Sequence, residues 1–385
     1  MSVPDFPFAS RLVSVRAVME EMGLDALVIS HPANVFYVSG FSGSAGAVIV
    51  DRERCTLVVD SRYITAAREL PRSHPGLSTM RVFLAERSED ETILETLKSR
   101  ACQRIGIEAA WMPVLRFNRL SAALAGEAPT PLASPPPCPV LVPTERVVER
   151  LRLIKDSVEV SVLREAGGRL SRVATEVVVE LVRPGRTEAD VAAAIDAELR
   201  KAGFQRSAFE TIVASGPNSA LPHARPGRRA LRPGDLVVLD FGGVYDGYCV
   251  DLTRTVQLVP STHEFRRLFA AVAEAHAAAI AAVRPGTLTT DIDYAARRAL
   301  ERHGLGEAFG HGTGHGLGLE VHEAPRLSKA DPARPAQAVV PGMVFTIEPG
   351  VYLPGIGGVR IEDDVLVADG ACELLTTVPI ELVHS

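Results

Sequence analysis

Three histidines stand at spacings of four and seven in HGTGHGLGLEVHEAP, residues 311 to 325. The glycines between His311, His315 and His322 add no bulk and permit unusual backbone angles, which predicts close approach of a ligand. Asp240 and Asp251 lie upstream of this stretch, and Glu348 and Glu362 lie downstream. Four carboxylates with one or more imidazoles make a donor set suited to two hard-to-borderline divalent cations.

The segment after Asp240 reads FGGVYDGYCVDLTRTVQL, and its Asp246-Gly247 pair is a strong signal for a two-residue hairpin turn. With no bulge, Tyr245 pairs with Tyr248, Gly242 with Asp251, and Asp240 with Thr253. Strand alternation then puts Asp240 and Asp251 on one face. As diagonal neighbours they lie roughly 7 Å apart at the backbone. Two carboxylates that close repel unless a cation sits between them or one is protonated. In GVRIEDD (358–364), Arg360 and Glu362 likewise face one way, which predicts that Arg360 orients a ligand carboxylate. Cys249 shares the face of Asp251, but a soft thiolate suits an oxygen-rich site poorly, so it reads as a small buried residue.

The elements that deliver these carboxylates repeat. VRPGRTEADVAAAIDAELRKAG (182–203) matches VRPGTLTTDIDYAARRALERHG (283–304) at a constant offset of 101 residues. Each reads as a turn followed by a helix that stops at its closing glycine. A second pair, RPGDLVVLD (232–240) and VPGMVFTIE (340–348), leads a Pro-Gly turn into a short apolar strand ending on Asp240 or Glu348. Two matched pairs in one order predict a duplicated domain. A helical pattern from about 144 to Leu181, broken near Gly167-Gly168, precedes it.

Upstream, residues 10–22 read as a helix stopped at Gly23. Strands are expected at 25–30, 45–50, 56–60, 81–84 and 105–108, with helices at 61–69 and 89–99. The glycine-containing turn GFSGSAG (40–46) lacks a following helix with a phosphate-loop lysine, so a phosphate site is not expected there. The proline-packed ASPPPCPVLVP (133–143) reads as a stiff linker. The expected division is a mixed α/β domain over 1–135, a linker over 136–146 and a second domain over 147–385.

The chain has 385 residues, a 46% apolar fraction, 23% charged residues and a net charge of −6. That composition is ordinary for a soluble protein and gives no general affinity for nucleic acid or acidic membranes. The five cysteines show no CxxC and no regular spacing, so neither a disulfide framework nor a zinc ribbon is indicated. With no signal-peptide pattern and no 18-residue apolar span, a cytoplasmic protein is expected. His31, His74, His263, His276, His303 and His384 are expected to be structural or solvated. By spacing alone, so is the loop residue His223.

Asp240, Asp251, His315, Glu348 and Glu362 occur here together with PHA (222–224), HGTGHGLGLEVHE and GVRIEDD. This pattern resembles the dinuclear metallopeptidases of the pita-bread fold, which include methionine aminopeptidases, aminopeptidase P and prolidases. FETIVASGPNSALPHARP (209–226) and the ending ELLTTVPIEL are similar to the Xaa-Pro branch. GFSGSAG and VDSRY look like N-terminal signatures of aminopeptidase P, although Ser61 replaces the commoner glycine. The resemblance implies a smaller mixed α/β N-terminal domain followed by a pseudo-twofold pita-bread catalytic domain.

It also implies roles. Asp251 and Glu362 would bridge two metal ions, with Asp240 completing one site and His315 with Glu348 the other. His223, His311 and His322 match catalytic histidines outside the metal shell, and Arg326 and Arg360 match residues near the substrate or ligands. The expected reaction is removal of the first residue of a peptide at an Xaa-Pro bond, as in aminopeptidase P, with a dipeptide-only prolidase as the alternative. Two cations, typically about 3.5–4 Å apart, would share a water and supply hydroxide near neutral pH. Glu348 would take and return the proton. Oxygen-rich ligation suits manganese, with cobalt or zinc as alternatives. A homodimer acting on proline-containing peptides is implied. A metal-free creatinase-like hydrolase would lack the carboxylate set, and a catalytically silent binding protein would hold no ion.

Overall fold

The computed structural model describes residues 4–125, 139–333, 335–380 and 382–384, and divides into two compact units, Met1–Arg152 and Leu153–Ser385.

The first unit runs α1 (Phe8–Glu21), β1 (Ala26–Ile29), α2 (Pro32–Ser39), β2 (Ala47–Asp51), β3 (Cys55–Val59), α3 (Ile64–Ser73), β4 (Arg81–Leu84), α4 (Glu89–Ser99), β5 (Arg104–Glu108), α5 (Val114–Ala125), β6 (Val140–Thr144) and α6 (Val147–Arg152). Its mixed sheet has the order β4-β3-β2-β1-β5-β6. Every residue of β1, β2 and β3 is buried, as expected of strands covered on both faces. On one face Val28, Ile49 and Ile105 pack with Ile93 and Leu97 of α4 and Leu120 of α5.

Three expectations change here. Helices α2 and α5 fall outside the elements that the sequence pattern predicts. α2 is only eight residues, PANVFYVS, and its β-branched and aromatic content gives no helical stripe. Of the expected linker 136–146, residues 136–138 lie outside the described residues, while 140–144 form β6, paired in parallel with β5. An edge strand tolerates Pro143, and the boundary between units falls at Arg152 instead. The glycines of the 40–46 turn make room for an aromatic ring: a Cβ on Gly43 would lie 2.2 Å from the Phe41 side chain.

The second unit begins with α7 (Ser157–Leu181) and α8 (Glu188–Lys201), followed by β7 (Arg206–Ser207), β8 (Ile212–Ser215), β9 (Leu236–Tyr245) and β10 (Tyr248–Leu258). Then come α9 (His263–Ala282), α10 (Thr289–Arg302), β11 (Gly314–Gly316), β12 (Glu323–Leu327), β13 (Val344–Ile347), β14 (Gly350–Leu353), β15 (Gly357–Arg360), β16 (Asp363–Val367), β17 (Cys372–Leu374) and β18 (Leu382–His384). One sheet has the order β18-β10-β9-β7 with β8 also on β9, and another has the order β12-β11-β13-β16-β17. Among the described residues no helix is long and apolar enough to cross a membrane.

α7 is not broken at Gly167-Gly168. Its start is set by Asp156, whose side chain accepts from Val158 N and Glu159 N in a capping box. Gly167 stays within the helix because the chain passes close by: a Cβ there would lie 2.2 Å from the Leu375 carbonyl oxygen. The internal repeat is structural. α8 and α10 have equal lengths of 14 residues at the same offset. Gly185 N donates to Leu231 O and Gly286 N to Val339 O, each at 2.8 Å. Gly234 and Gly342, at φ +84° and +89°, turn the chain into β9 and β13. Under the second half lies a core of Leu268, Val272, Ile292, Ala296, Phe345 and Val365.

Candidate metal centre

The hairpin forms in the register that the turn predicts, with Asp251 opposite Gly242 and Thr253 opposite Asp240. Asp246 and Gly247 take φ of +46° and +87°, the left-handed pair that a two-residue turn needs. Asp240 and Asp251 therefore sit on one face of a continuous ladder, and both are buried.

The other two carboxylates come from different positions. Glu348 follows the last residue of β13 and Glu362 precedes the first residue of β16, so neither is on a ladder. Their backbones are tied elsewhere: Glu348 N donates to Thr313 O at 2.7 Å, and Glu362 N to Thr253 O at 3.1 Å. His315 lies in the middle of β11, where its backbone N donates to Thr346 Oγ1 at 3.1 Å. The glycines on either side admit neighbouring strands more than a ligand. A Cβ on Gly314 would lie 1.9 Å from the Thr346 carbonyl oxygen, and one on Gly316 would lie 2.0 Å from that of Ala324.

All five expected ligands line one cavity of about 580 Å³, together with His223, His311, His322, Arg326 and Arg360. Donor atoms of Asp251, His315 and Glu362 lie within 4.8 Å of one another. Glu348 Oε1 is 3.4 Å from His315 Nε2. His315 Nδ1 is 3.1 Å from Gly316 O, so a proton held there leaves Nε2 open as a ligand. Asp251 Oδ1 and Glu362 Oε1 are buried without a hydrogen-bond partner.

Burial, and then the neighbouring Glu362, hold the Asp251 carboxyl well above its usual range. Burial, followed by Glu348 and Asp240, does the same to Glu362. Burial pushes Glu348 up to about 7. A group of buried carboxylates with unpartnered oxygens is costly unless cations neutralise it. The donor set thus fits divalent metal ions.

Besides Arg360, which the sequence already sets beside a ligand carboxylate, several residues that carry no sequence signal hold these ligands. Thr253 Oγ1 donates to Glu362 Oε2 at 2.5 Å. The Asp251 backbone N donates to Asp364 Oδ2 at 2.9 Å. Arg360 is buried, and its guanidinium donates to Asp240 Oδ2, to Thr253 Oγ1 at 3.2 Å, to the Tyr352 hydroxyl at 2.8 Å and to Pro222 O at 3.3 Å. Behind the ladder, fully buried Arg254 donates to Thr253 O, Glu362 O, Val378 O, Pro379 O and Asp363 Oδ1. His276, expected to be structural, lies buried with Nε2 3.2 Å from Asp363 Oδ2.

The histidines fall into different settings. His311 Nδ1 lies 2.8 Å from Gly312 O and Nε2 lies 2.9 Å from the Tyr352 hydroxyl. The rings of His315 and His322 meet edge to face, with centroids 4.3 Å apart. Burial lowers His311 and His322 to about 4, so both imidazoles are neutral at pH 7. His223 and Arg326 are exposed to the cleft. Cys249 is buried, burial pushes its thiol up to about 12, and it is not among the residues that line the cavity.

Residues 161–369 match metallopeptidase family M24, and residues 11–154 match the Creatinase/Prolidase N-terminal domain. The chain belongs to metallopeptidase family M24. It is 32% identical to an Xaa-Pro dipeptidase from Pyrococcus furiosus over 375 residues, which are 97% of this chain and 99% of the relative. A solved Xaa-Pro dipeptidase from Bacillus anthracis superposes with a TM-score of 0.88 at 32% identity, covering 98% of this chain and 99% of that one. An X-Pro aminopeptidase from Thermotoga maritima superposes with a TM-score of 0.83 at 31% identity, covering 96% and 100%. The two matches, in this order along the chain, agree with the N-terminal and catalytic domains that the sequence leads one to expect.

Proposed function

We propose that this chain is a metal-dependent Xaa-Pro dipeptidase, with Asp240, Asp251, His315, Glu348 and Glu362 holding two divalent cations. The observation that carries this reading is the meeting of Asp251, His315 and Glu362 donor atoms in a cavity that also exposes Arg326. Of the two peptidase readings, the curated relatives favour the dipeptidase over the aminopeptidase expected first.

Bound divalent cations supply a Lewis acid that activates water and polarises the scissile carbonyl. The remaining work falls to the chain. Glu348, with its elevated carboxyl, takes the proton from the attacking water and returns it to the leaving nitrogen. Neutral His322 and the cleft-facing His223 donate hydrogen bonds to the developing oxyanion; losing one such donor costs about 10²–10³ in rate. His311 holds the Tyr352 hydroxyl, which in turn receives Arg360, and Arg360 fixes Asp240.

Arg326 is placed to pair with a carboxylate, and a dipeptide presents one directly after its proline. Phe209, Ile212 and Pro222 give the cleft an apolar wall for the proline ring. The tertiary Xaa-Pro amide has no N–H, so recognition rests on that wall and on the two termini.

Manganese is the proposed ion, on the preference of oxygen-rich sites for it. A cytoplasmic homodimer is the proposed assembly. The aminopeptidase remains the second reading because of the fold shared with the X-Pro aminopeptidase. Manganese-loaded protein offered an Xaa-Pro dipeptide and an Xaa-Pro-Xaa tripeptide decides between them. Cleavage of the dipeptide alone supports the proposal, and efficient cleavage of the tripeptide rejects it.

A further inference from the structure

The segment 216–227, GPNSALPHARPG, connects β8 to β9 and carries His223 to the cleft wall. It begins with a short 3-10 turn, Gly216–Ala220, and has no strand of its own to fix the rest. Its two ends meet on one side chain. Glu188, the first helical residue of α8, is 0% exposed. Its Oε1 accepts from Ser215 N at 2.8 Å, Ser215 Oγ at 2.6 Å and Asn218 Nδ2 at 3.0 Å. Its Oε2 accepts from Asn218 Nδ2 at 3.1 Å and Gly227 N at 3.1 Å. A buried carboxylate surrounded by donors is held rigidly, and its place in the first turn of α8 also suits the helix dipole.

The duplication shows that the helix itself does not need this carboxylate. At the equivalent position of α10 stands Thr289, whose Oγ1 accepts, among the described residues, a single bond, from Gln337 N at 3.3 Å. The backbone bond beside it is present in both halves: Glu188 N donates to Arg229 O at 3.0 Å and Thr289 N to Gln337 O at 2.9 Å. What the first half adds is the closure of a loop whose middle reaches the cleft. There Pro222 O accepts from Arg360, the side chain that holds Asp240.

We infer that Glu188 is a positioning residue: its buried carboxylate gathers both ends of the 216–227 loop and so sets His223 against the reacting centre. The inference rests on the role proposed above for His223. Glu188→Gln keeps the volume but turns one acceptor oxygen into an amide NH2 that faces N–H donors, so the loop loses at least one of its ties. The expected result is a fall in kcat/KM of about 10- to 100-fold on an Xaa-Pro dipeptide, the cost of a roughly 1 Å misplacement. Manganese stoichiometry should stay as in the wild type.

The decisive comparison is a double-mutant cycle with His223→Ala. If Glu188 acts through His223, adding Glu188→Gln to His223→Ala costs less than about twofold, because coupled residues are not additive. A cost as large as in the wild type would overturn the inference and leave Glu188 a purely structural residue. Asn218→Ala, which removes a donor to both oxygens and spares the carboxylate, serves in the same cycle if Glu188→Gln does not fold. Amide exchange provides a readout without substrate. In Glu188→Gln it should rise across 216–227 and not across β9–β10, and equal rates in variant and wild type would refute the loop closure. A wild type that leaves Xaa-Pro dipeptides intact would instead sink the proposed reaction, with the exchange result still deciding the role of Glu188.

Discussion

The two halves of the catalytic unit deliver their carboxylates by different means from equivalent elements. In the first half Asp240 and Asp251 stand on adjacent strands joined by a two-residue turn, so the ladder fixes the spacing of their backbones. In the second half the matching strands, β13 and β16, are separated by the β14–β15 hairpin, and Glu348 and Glu362 flank the ladder. The first pair is positioned by sheet geometry. The second is positioned by individual ties from elsewhere, Thr313 O for Glu348, and Thr253 with Arg254 for Glu362. A duplicated fold can thus keep its helices and turns while one copy opens its hairpin to admit Arg360 and Tyr352.

If that contrast is right, damage to the ties of Glu362 should cost more than damage to the turn between Asp240 and Asp251. The largest effect is expected from Arg254→Met. It removes the arginine from a buried ion pair of 2.8 Å and leaves Asp363 with His276 and the Thr376 hydroxyl, and breaking such a pair typically costs about 3–5 kcal/mol. Denaturant unfolding of the metal-free variant measures this; a loss under about 1 kcal/mol would contradict it. Next, Thr253→Val frees Glu362 Oε2 with little change in volume. Loss of such a partner typically lowers metal affinity about 10- to 100-fold, which calorimetric manganese titration would read.

The pH effect is intermediate. Glu348 sits at about 7 in the metal-free fold against an ordinary 4.5. A carboxyl raised by folding contributes stability that is present below its unfolded pKa and lost as pH rises through the folded one. Metal-free wild type should therefore lose melting temperature relative to Glu348→Gln between about pH 5 and about pH 8. A difference that stays flat across that range would show that burial does not shift this group. The smallest effect belongs to the turn. Gly247→Ala, at φ +87°, should cost about 1–2 kcal/mol of stability and leave manganese affinity unchanged, because intact ladder pairs separate the turn from Asp251. A tenfold fall in affinity would mean that the first half is no more self-sufficient than the second.

The same contrast explains what the sequence reveals. Asp246-Gly247 sets a register, and register sets parity, so the shared face of Asp240 and Asp251 is legible from a few residues. The repeat is legible because Pro-Gly turns and closing glycines recur at fixed offsets. Arg254, Thr253, Tyr352, Asp364 and Glu188 are not legible this way. Each acts through a hydrogen bond to residues far along the chain, and neither helical nor strand periodicity encodes such a partner. α2 was hidden by brevity, and β6 by prolines that an edge strand tolerates. The glycines around His315 were visible, but their reason, close approach of Thr346 and Ala324 backbones, depends on strand neighbours that local sequence does not specify.

One titration tests whether acidic groups from both halves hold the same ions. Metal-stripped protein is titrated with manganese as the wild type, as Asp251→Asn and as Glu362→Gln. Shared ions predict two per wild-type chain and a weakening of both in either variant. An ion that remains at wild-type affinity in either variant would contradict the shared centre.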